Sequence, residues 1–224
     1  MKFMKPRQSG FTLVEIAIVL VIIGLLLGGV LKGQEMIESA RIKSVVTDMN
    51  GISAAYNTYF DRYHAIPGDE TAATFTGRGW LGNGVGNADG VLGISPAQTF
   101  TNGGEQPALW RSLRNASMTS GDILAPANAT GLPRAGTGGL IGVSVSPYGL
   151  PGPAVCVSGL STKQALGVDT TIDGALPTTN IGNNSGSARG DTGTAPLAPA
   201  TIAPVALAYN ETVTITPWTM CRAF

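Results

Sequence analysis

The sequence predicts an α+β chain in which a long amino-terminal helix, apolar in its first half and amphipathic in its second, packs on a mainly antiparallel β-sheet. Three observations carry that expectation. The stretch from Phe11 to Leu31 holds a single charge, Glu15, and approaches the roughly 20 apolar residues a helix needs to span a bilayer. Apolar residues then fall three and four apart at Ile42, Val45, Met49, Ile52, Tyr56, Tyr59 and Tyr63, the spacing of a helix with one packed face. Short apolar runs between Gly, Pro and Asn turns occupy the carboxy-terminal half, as strands of a sheet would.

The first ten residues form a basic leader carrying Lys2, Lys5 and Arg7. The positive-inside bias keeps this leader in the cytoplasm and sends the chain after Lys32 across the membrane. A secretory signal is cut after its apolar region and discards it. Here the small residue, Gly10, precedes the apolar run, and a cut after it retains the helix and leaves a free amine on Phe11. Glu15 makes that amine matter. A charge at mid-helix in lipid costs about 2.5 to 3.5 kcal/mol on insertion scales, and the chain offers Glu15 no nearby counter-ion except the new amine four residues upstream.

The segment Gly10-Phe11-Thr12-Leu13-Val14-Glu15 resembles the cleavage and methylation signature of type IV prepilins and of type II secretion pseudopilins. A generic single-pass anchor explains the hydropathy but not this glycine, phenylalanine and glutamate together. The resemblance implies that a prepilin peptidase cuts after Gly10 and methylates the amine of Phe11 with S-adenosylmethionine. It also implies that Glu15 of one subunit pairs with the Phe11 amine of its neighbour. Such a pair adds little net stability in apolar surroundings but penalises misregister, because breaking it strands a buried charge. The implied fold is type IV pilin-like. The implied partners are copies of the chain and other pilins, the peptidase and an inner-membrane assembly platform. The implied location is a single-pass inner-membrane precursor with a cytoplasmic amino terminus, then a cell-surface pilus or a periplasmic pseudopilus. Tyr63-His64-Ala65-Ile66-Pro67-Gly68-Asp69 and Thr170 to Gly174 also resemble prepilin sequences.

Val46, Ala55 and Phe60 widen the amphipathic stripe, and no proline interrupts residues 11 to 66. One helix ending near Pro67-Gly68 is expected, extending roughly 75 to 80 Å at about 1.5 Å per residue. Its own domain can cover only part of that length, so lipid or other copies must cover the rest. Lys32, among Gly28, Gly29 and Gly33, stands where many pilins have a proline. Each glycine costs about 1 kcal/mol relative to alanine in a helix, so this region is a candidate for local melting. The expected organisation is a leader at 1–10, a membrane or filament-core helix at 11–33, the amphipathic half of the same helix at 34–66, and a globular head at 67–224 that opens with a loop at 67–105.

The chain has 224 residues, 31 of them glycine, with 12% charged residues and no formal net charge. Cleavage would leave it mildly acidic, and no basic stripe marks a nucleic-acid partner. Sparse charge and abundant glycine favour a loop-rich extracytoplasmic domain. Pro67 to Pro96 is expected as a surface loop, Gln106 to Ala116 as a short helix opened by Pro107, and Leu140 to Val145 and Val155 to Val157 as strands. Ser161 is placed to cap a helix through Ile172 that stops at Asp173-Gly174. Pro177 to Pro199 is expected as a polar loop, and Ile202–Ala208 and Thr212–Thr216 as a hairpin about Tyr209-Asn210-Glu211.

Cys156 and Cys221, the only cysteines, both fall in the part expected outside the cytoplasm, where oxidation is permitted. A disulfide closing the carboxy-terminal region is expected, as in many pilins, against two free buried thiols. Asp69, Glu70, Asn83, Asn87 and Asp89 gather oxygen atoms in a glycine-rich loop. Asp69, Asn87 and Asp89 are the calcium candidates, although no glutamate follows at the bidentate position of an EF-hand and turns favour the same residues. No other cofactor is indicated. Catalysis has little footing: His64 is the only histidine, no G-x-S-x-G elbow occurs, and Asp169 and Asp173, four apart, read as a solvated helix end. Trp80, Trp110 and Trp218 fit core packing better than sugar stacking. The expectation is a structural pilin of an extracytoplasmic filament serving adhesion, motility or uptake, and not an enzyme. The alternatives are a secretion pseudopilin, a DNA-binding competence pilin and a membrane-anchored enzyme.

Overall fold

The computed structural model describes residue 10 and residues 12–82, 86–174, 186–193, 196–202, 209 and 217–224. Helix α1 runs Leu13–Tyr63 without a break, passing through Gly24, Gly28, Gly29 and Gly33. No other part of the chain comes within 4 Å of a Cβ built at any of these four glycines. The chain divides into two compact units, one ending at Ala40 and one spanning Arg41–Phe224. In the second unit α1 buries Val45, Met49, Ile52, Ala55, Tyr56 and Tyr59, the stripe that the three-and-four spacing demands. The helix ends at Tyr63, short of the Ile66 expected. His64 turns left-handed (φ 51°) and its N–H still donates to the Phe60 carbonyl at 2.8 Å, which closes the last turn before Pro67 is reached.

The sheet has four antiparallel strands in the order β1-β2-β4-β3, with β1 Ile141–Val145, β2 Pro153–Leu160, β3 Ala188–Thr192 and β4 Trp218–Ala223. The last strand of the chain therefore lies inside the sheet and pairs on both sides. Val143, Val155, Val157 and Met220 are fully buried in the core with α1. Cys156 and Cys221 stand directly opposite each other in the β2–β4 register. They form the disulfide with Cα atoms 4.0 Å apart, and no described cysteine is free.

Two expectations about loops are corrected. The stretch 177–199 contains β3, whose Ala-Arg-Gly-Asp-Thr sequence has no β-branched alternation to announce it; pairing with β4 creates the strand. The stretch 67–105 is no simple surface loop: it carries helix α2 Ala72–Gly77 and a 3₁₀ turn at Pro96–Gln98, and Pro67 to Glu70 are buried. β2 extends well beyond Val155–Val157 on both sides, and β4 falls where no strand was expected. The hairpin expected at 202–216 lies outside the described residues apart from Ile202 and Tyr209.

Helix α3 spans Gln106–Asn115 with Pro107 in its first turn. Helix α4 spans Thr162–Asp173, and Ser161 and Gln164 close a reciprocal capping box before Gly174 ends it at φ 90°, as the sequence leads one to expect. Small residues let the head close on α1. A Cβ at Gly167 of α4 would collide with Ile42, and one at Gly136 with Ser44. Beside the second contact, Gly136 N–H donates to Asp48 at 3.2 Å.

The disulfide ties the central strand to β2 across a sequence separation of 65 residues. Replacing both cysteines by serine is expected to lower unfolding stability by about 4 kcal/mol in the chain-entropy treatment, read as a lower denaturant midpoint with a steeper slope, because the unfolded chain expands.

Candidate functional site

At the start of α1 the chain builds its first turn around one carboxylate. Thr12 precedes the first helical residue and Glu15 stands third in the helix, the T-x-x-E spacing of a capping box. Glu15 Oε2 accepts from Thr12 N–H at 2.8 Å and from Thr12 Oγ1 at 2.8 Å, and Glu15 N–H donates back to Thr12 Oγ1 at 3.3 Å. The sequence points only to a missing counter-ion for Glu15; the hydrogen bonds from Thr12 are an addition to it. Thr12 supplies donors but no positive charge, so the formal charge stays uncompensated there. The helix dipole favours an acid at this end. Gly10 is exposed with open space around its Cα, and Phe11 lies outside the described residues.

Behind this turn, large apolar side chains from Leu13 to Leu31 are exposed, Leu13 by 89% and Leu25 by 73%. The most apolar window of the helix has none of its residues buried. Just beyond it Lys32 pairs with Glu35 at 3.0 Å, both side chains solvated, which contributes little to stability.

The head contains a second polar cluster where α1 ends. Arg78 grips Glu70 with both guanidinium nitrogens, at 2.7 and 2.6 Å. Tyr59 donates its hydroxyl to the same carboxylate, and Arg78 lies 4.6 Å from the Tyr63 ring centre and 4.8 Å from that of Trp80. Burial, and then the Glu70 acceptor, push the Tyr59 phenol well above its ordinary range. Every charge in this cluster is matched, so it has the chemistry of a lock between α1 and the α2 segment.

The calcium candidates have their oxygens turned to the backbone. Asp69 accepts from Asp89 N–H (3.2 Å) and Gly90 N–H (2.8 Å). Asn87 Oδ1 accepts from Asp89 N–H (3.1 Å), and Asp89 accepts from Val91 N–H (2.9 Å) and from the Asn87 amide (2.7 Å). Glu105, unremarked in the sequence, is a further acceptor, bound by Gly93 N–H at 2.6 Å and Asn87 N–H at 3.4 Å; burial raises its carboxyl above the ordinary value. These acids shape the turns of residues 86–93. Asn83 lies outside the described residues. Among the described residues no group of three or more His, Cys, Asp and Glu stands close enough to hold a metal ion.

A cleft of about 400 Å³ beside this loop is lined by Phe60, His64, Asp69, Glu70, Thr74 and their neighbours. Asp173 accepts from Ser187 N–H and hydroxyl and from Ala188 N–H, at 3.1, 2.6 and 2.8 Å. Asp169, one turn earlier, is 1% exposed, which overturns the solvated helix-end reading for that residue, while Asp173 stands exposed at the helix end as expected. Trp110 and Trp218 are core residues. Trp80 is half-buried with its ring edge-on to Tyr63 and Phe75.

Comparison with known proteins places one signature on this chain: residues 5–31 match the family described as the prokaryotic N-terminal methylation motif. No curated protein sequence matches the chain. Among solved structures it is similar to TcpA, a type IV pilin from Vibrio cholerae El Tor biotype, at 15% identity and a TM-score of 0.31, over 82% of this chain and 98% of that one.

Removing one member of the matched cluster leaves the other charge buried. Arg78→Met is expected to destabilise the head by about 2 to 4 kcal/mol, somewhat below the usual range for a broken buried pair because the Arg78 side chain keeps 24% of its exposure. Adding Glu70→Gln to that variant should recover most of the loss in a double-mutant cycle.

Proposed function

We propose that this chain is the precursor of a pilin-type subunit, cut after Gly10 and assembled through α1 into an extracytoplasmic filament. The observation that carries this reading is the methylation motif over residues 5–31, seated on a helix whose apolar surface its own chain leaves uncovered. Before assembly the bilayer covers that surface. After assembly the α1 helices of other copies cover it, and the hydrophobic area merely changes neighbours, so the exchange needs little net free energy.

Cleavage after Gly10 removes a cationic leader and creates a cation at Phe11, which methylation retains. In this reading the Phe11 amine of one subunit meets Glu15 of the next. Thr12 already holds Oε2 of that carboxylate by two hydrogen bonds, which fixes the acid's rotamer and lessens the side-chain entropy lost on docking. The pair acts as a register check, because a subunit inserted out of step leaves both charges in apolar surroundings. A prepilin peptidase and a membrane assembly platform are the partners this route requires. Whether the filament is a surface pilus or a short periplasmic pseudopilus sets where the head works. Imaging cells with and without the gene, for surface fibres and for exported protein, separates the two.

Mass spectrometry of the mature protein should find a chain beginning at a methylated Phe11; an intact leader on the assembled material would end this reading. Glu15→Ala is expected to insert normally yet to cut filament yield by more than tenfold. Thr12→Val, which loses the cap at a cost of about 1 kcal/mol, should reduce the yield only severalfold, measured on sheared filaments against total membrane-bound subunit.

A further inference from the structure

We propose that Asp169 is a proton-operated latch in the head: neutral, it seats α4 against the sheet, and ionised, it loosens that contact. Asp169 is 1% exposed, between Ala165 and Val168, which are fully buried, on the packed face of α4. Among the described residues neither of its oxygens has a hydrogen-bond partner. Asp173, one turn on, holds three donors, so the two carboxylates of this helix are in opposite situations.

The groups around Asp169 offer no compensating charge. From its own helix it meets the negative Asp173, while Lys163 stands exposed in the first turn. The Tyr209 phenol lies close enough to feel both carboxylates, but its hydroxyl is directed to Met220 Sδ at 3.8 Å. On the sheet, Arg189 of β3 is engaged by the carbonyls of Gly186 and Tyr148, and Arg222 of β4 by Asn50 of α1. Ile42 of α1 presses on Gly167, so movement of α4 reaches the seat of the helix as well as the sheet.

A buried carboxylate without donors is relieved by taking a proton, since the neutral acid loses far less on leaving water. Burial first, and Asp173 second, push the Asp169 carboxyl from 3.8 up to about 7. The folded value lies above the unfolded one. The penalty is therefore absent below the unfolded value, grows as pH rises between the two, and is complete above about 7. The head should grip tightest in acid. This proposal does not rest on the filament reading.

The test uses the full chain in detergent micelles, with denaturant unfolding of wild type and Asp169→Asn from pH 4.5 to 8.5. The ratio of the wild-type folding constant to that of the variant should fall by up to about tenfold per pH unit from pH 4.5 to 6.5 and level off above pH 7.5, the signature of one proton. The infrared carbonyl stretch of a neutral carboxylic acid should be present in folded wild type at pH 6, and absent at pH 8.5 and in the variant. A pH-independent ratio, or no neutral-acid band at pH 6, overturns the latch. Should Asp169→Asn fail to fold, the band is read in Glu105→Gln, which removes the other carboxyl raised by burial; its absence there at pH 6 overturns the latch.

Discussion

A helix surface that its own chain does not cover is the constraint on which the rest of this protein depends. The apolar first half of α1 has no buried residue in its most hydrophobic window, and hydrophobic side chains in such number demand a second apolar phase. In the proposed reading, lipid is one and other copies of the same helix are the other. A protein that exchanges the first for the second gains no solvent entropy by doing so. Polar groups must then decide where and how the exchange occurs, and within the apolar run the candidates are Thr12 and Glu15. Their capping box turns the one acid of that run into a rigid feature at the positive end of the helix.

The second half of α1 solves the opposite problem, because it must be held by a head poor in charge and rich in glycine. The solution uses close approach. Gly136 and Gly167 admit Ser44 and Ile42 where any side chain would collide, and aromatic residues at the helix end pack around Arg78. The polar cluster of Tyr59, Glu70 and Arg78 fixes the path of the chain as it leaves the helix. The disulfide does the same at the other end of the sequence, fastening the final strand between two earlier ones.

What could be read from the sequence was what short-range periodicity encodes. The stripe from Val45 to Tyr59 and the cap and stop of α4 appear almost residue for residue, because helical contacts recur every three or four positions. β3 was missed because its pairing partner is remote in sequence and Arg189-Gly190-Asp191 carries no strand preference of its own. Glu105 and Asp169 were missed as buried acids for a related reason: nothing local distinguishes a carboxylate that faces a loop's N–H groups, or an apolar core, from one that faces water. Thr12 and Glu15 have the T-x-x-E spacing of a cap, a local signal that went unused.

The acids of this chain differ in what compensates them, and that difference sorts their roles. Glu70 has a guanidinium and a phenol, so it is a fastening with no capacity left for a ligand. Asp69 and Glu105 accept from backbone N–H groups, which makes them organisers of a loop. Asp169 has neither, and a proton is the smallest cation that completes it. Glu15 has two donors and an apolar environment, and among the described residues no cation is paired with it. Of these carboxylates it is the one whose missing charge can be supplied by a second molecule arriving along the same helix. An acid compensated within its own chain stabilises a fold. In the proposed reading, one left incomplete at an exposed apolar helix specifies an assembly.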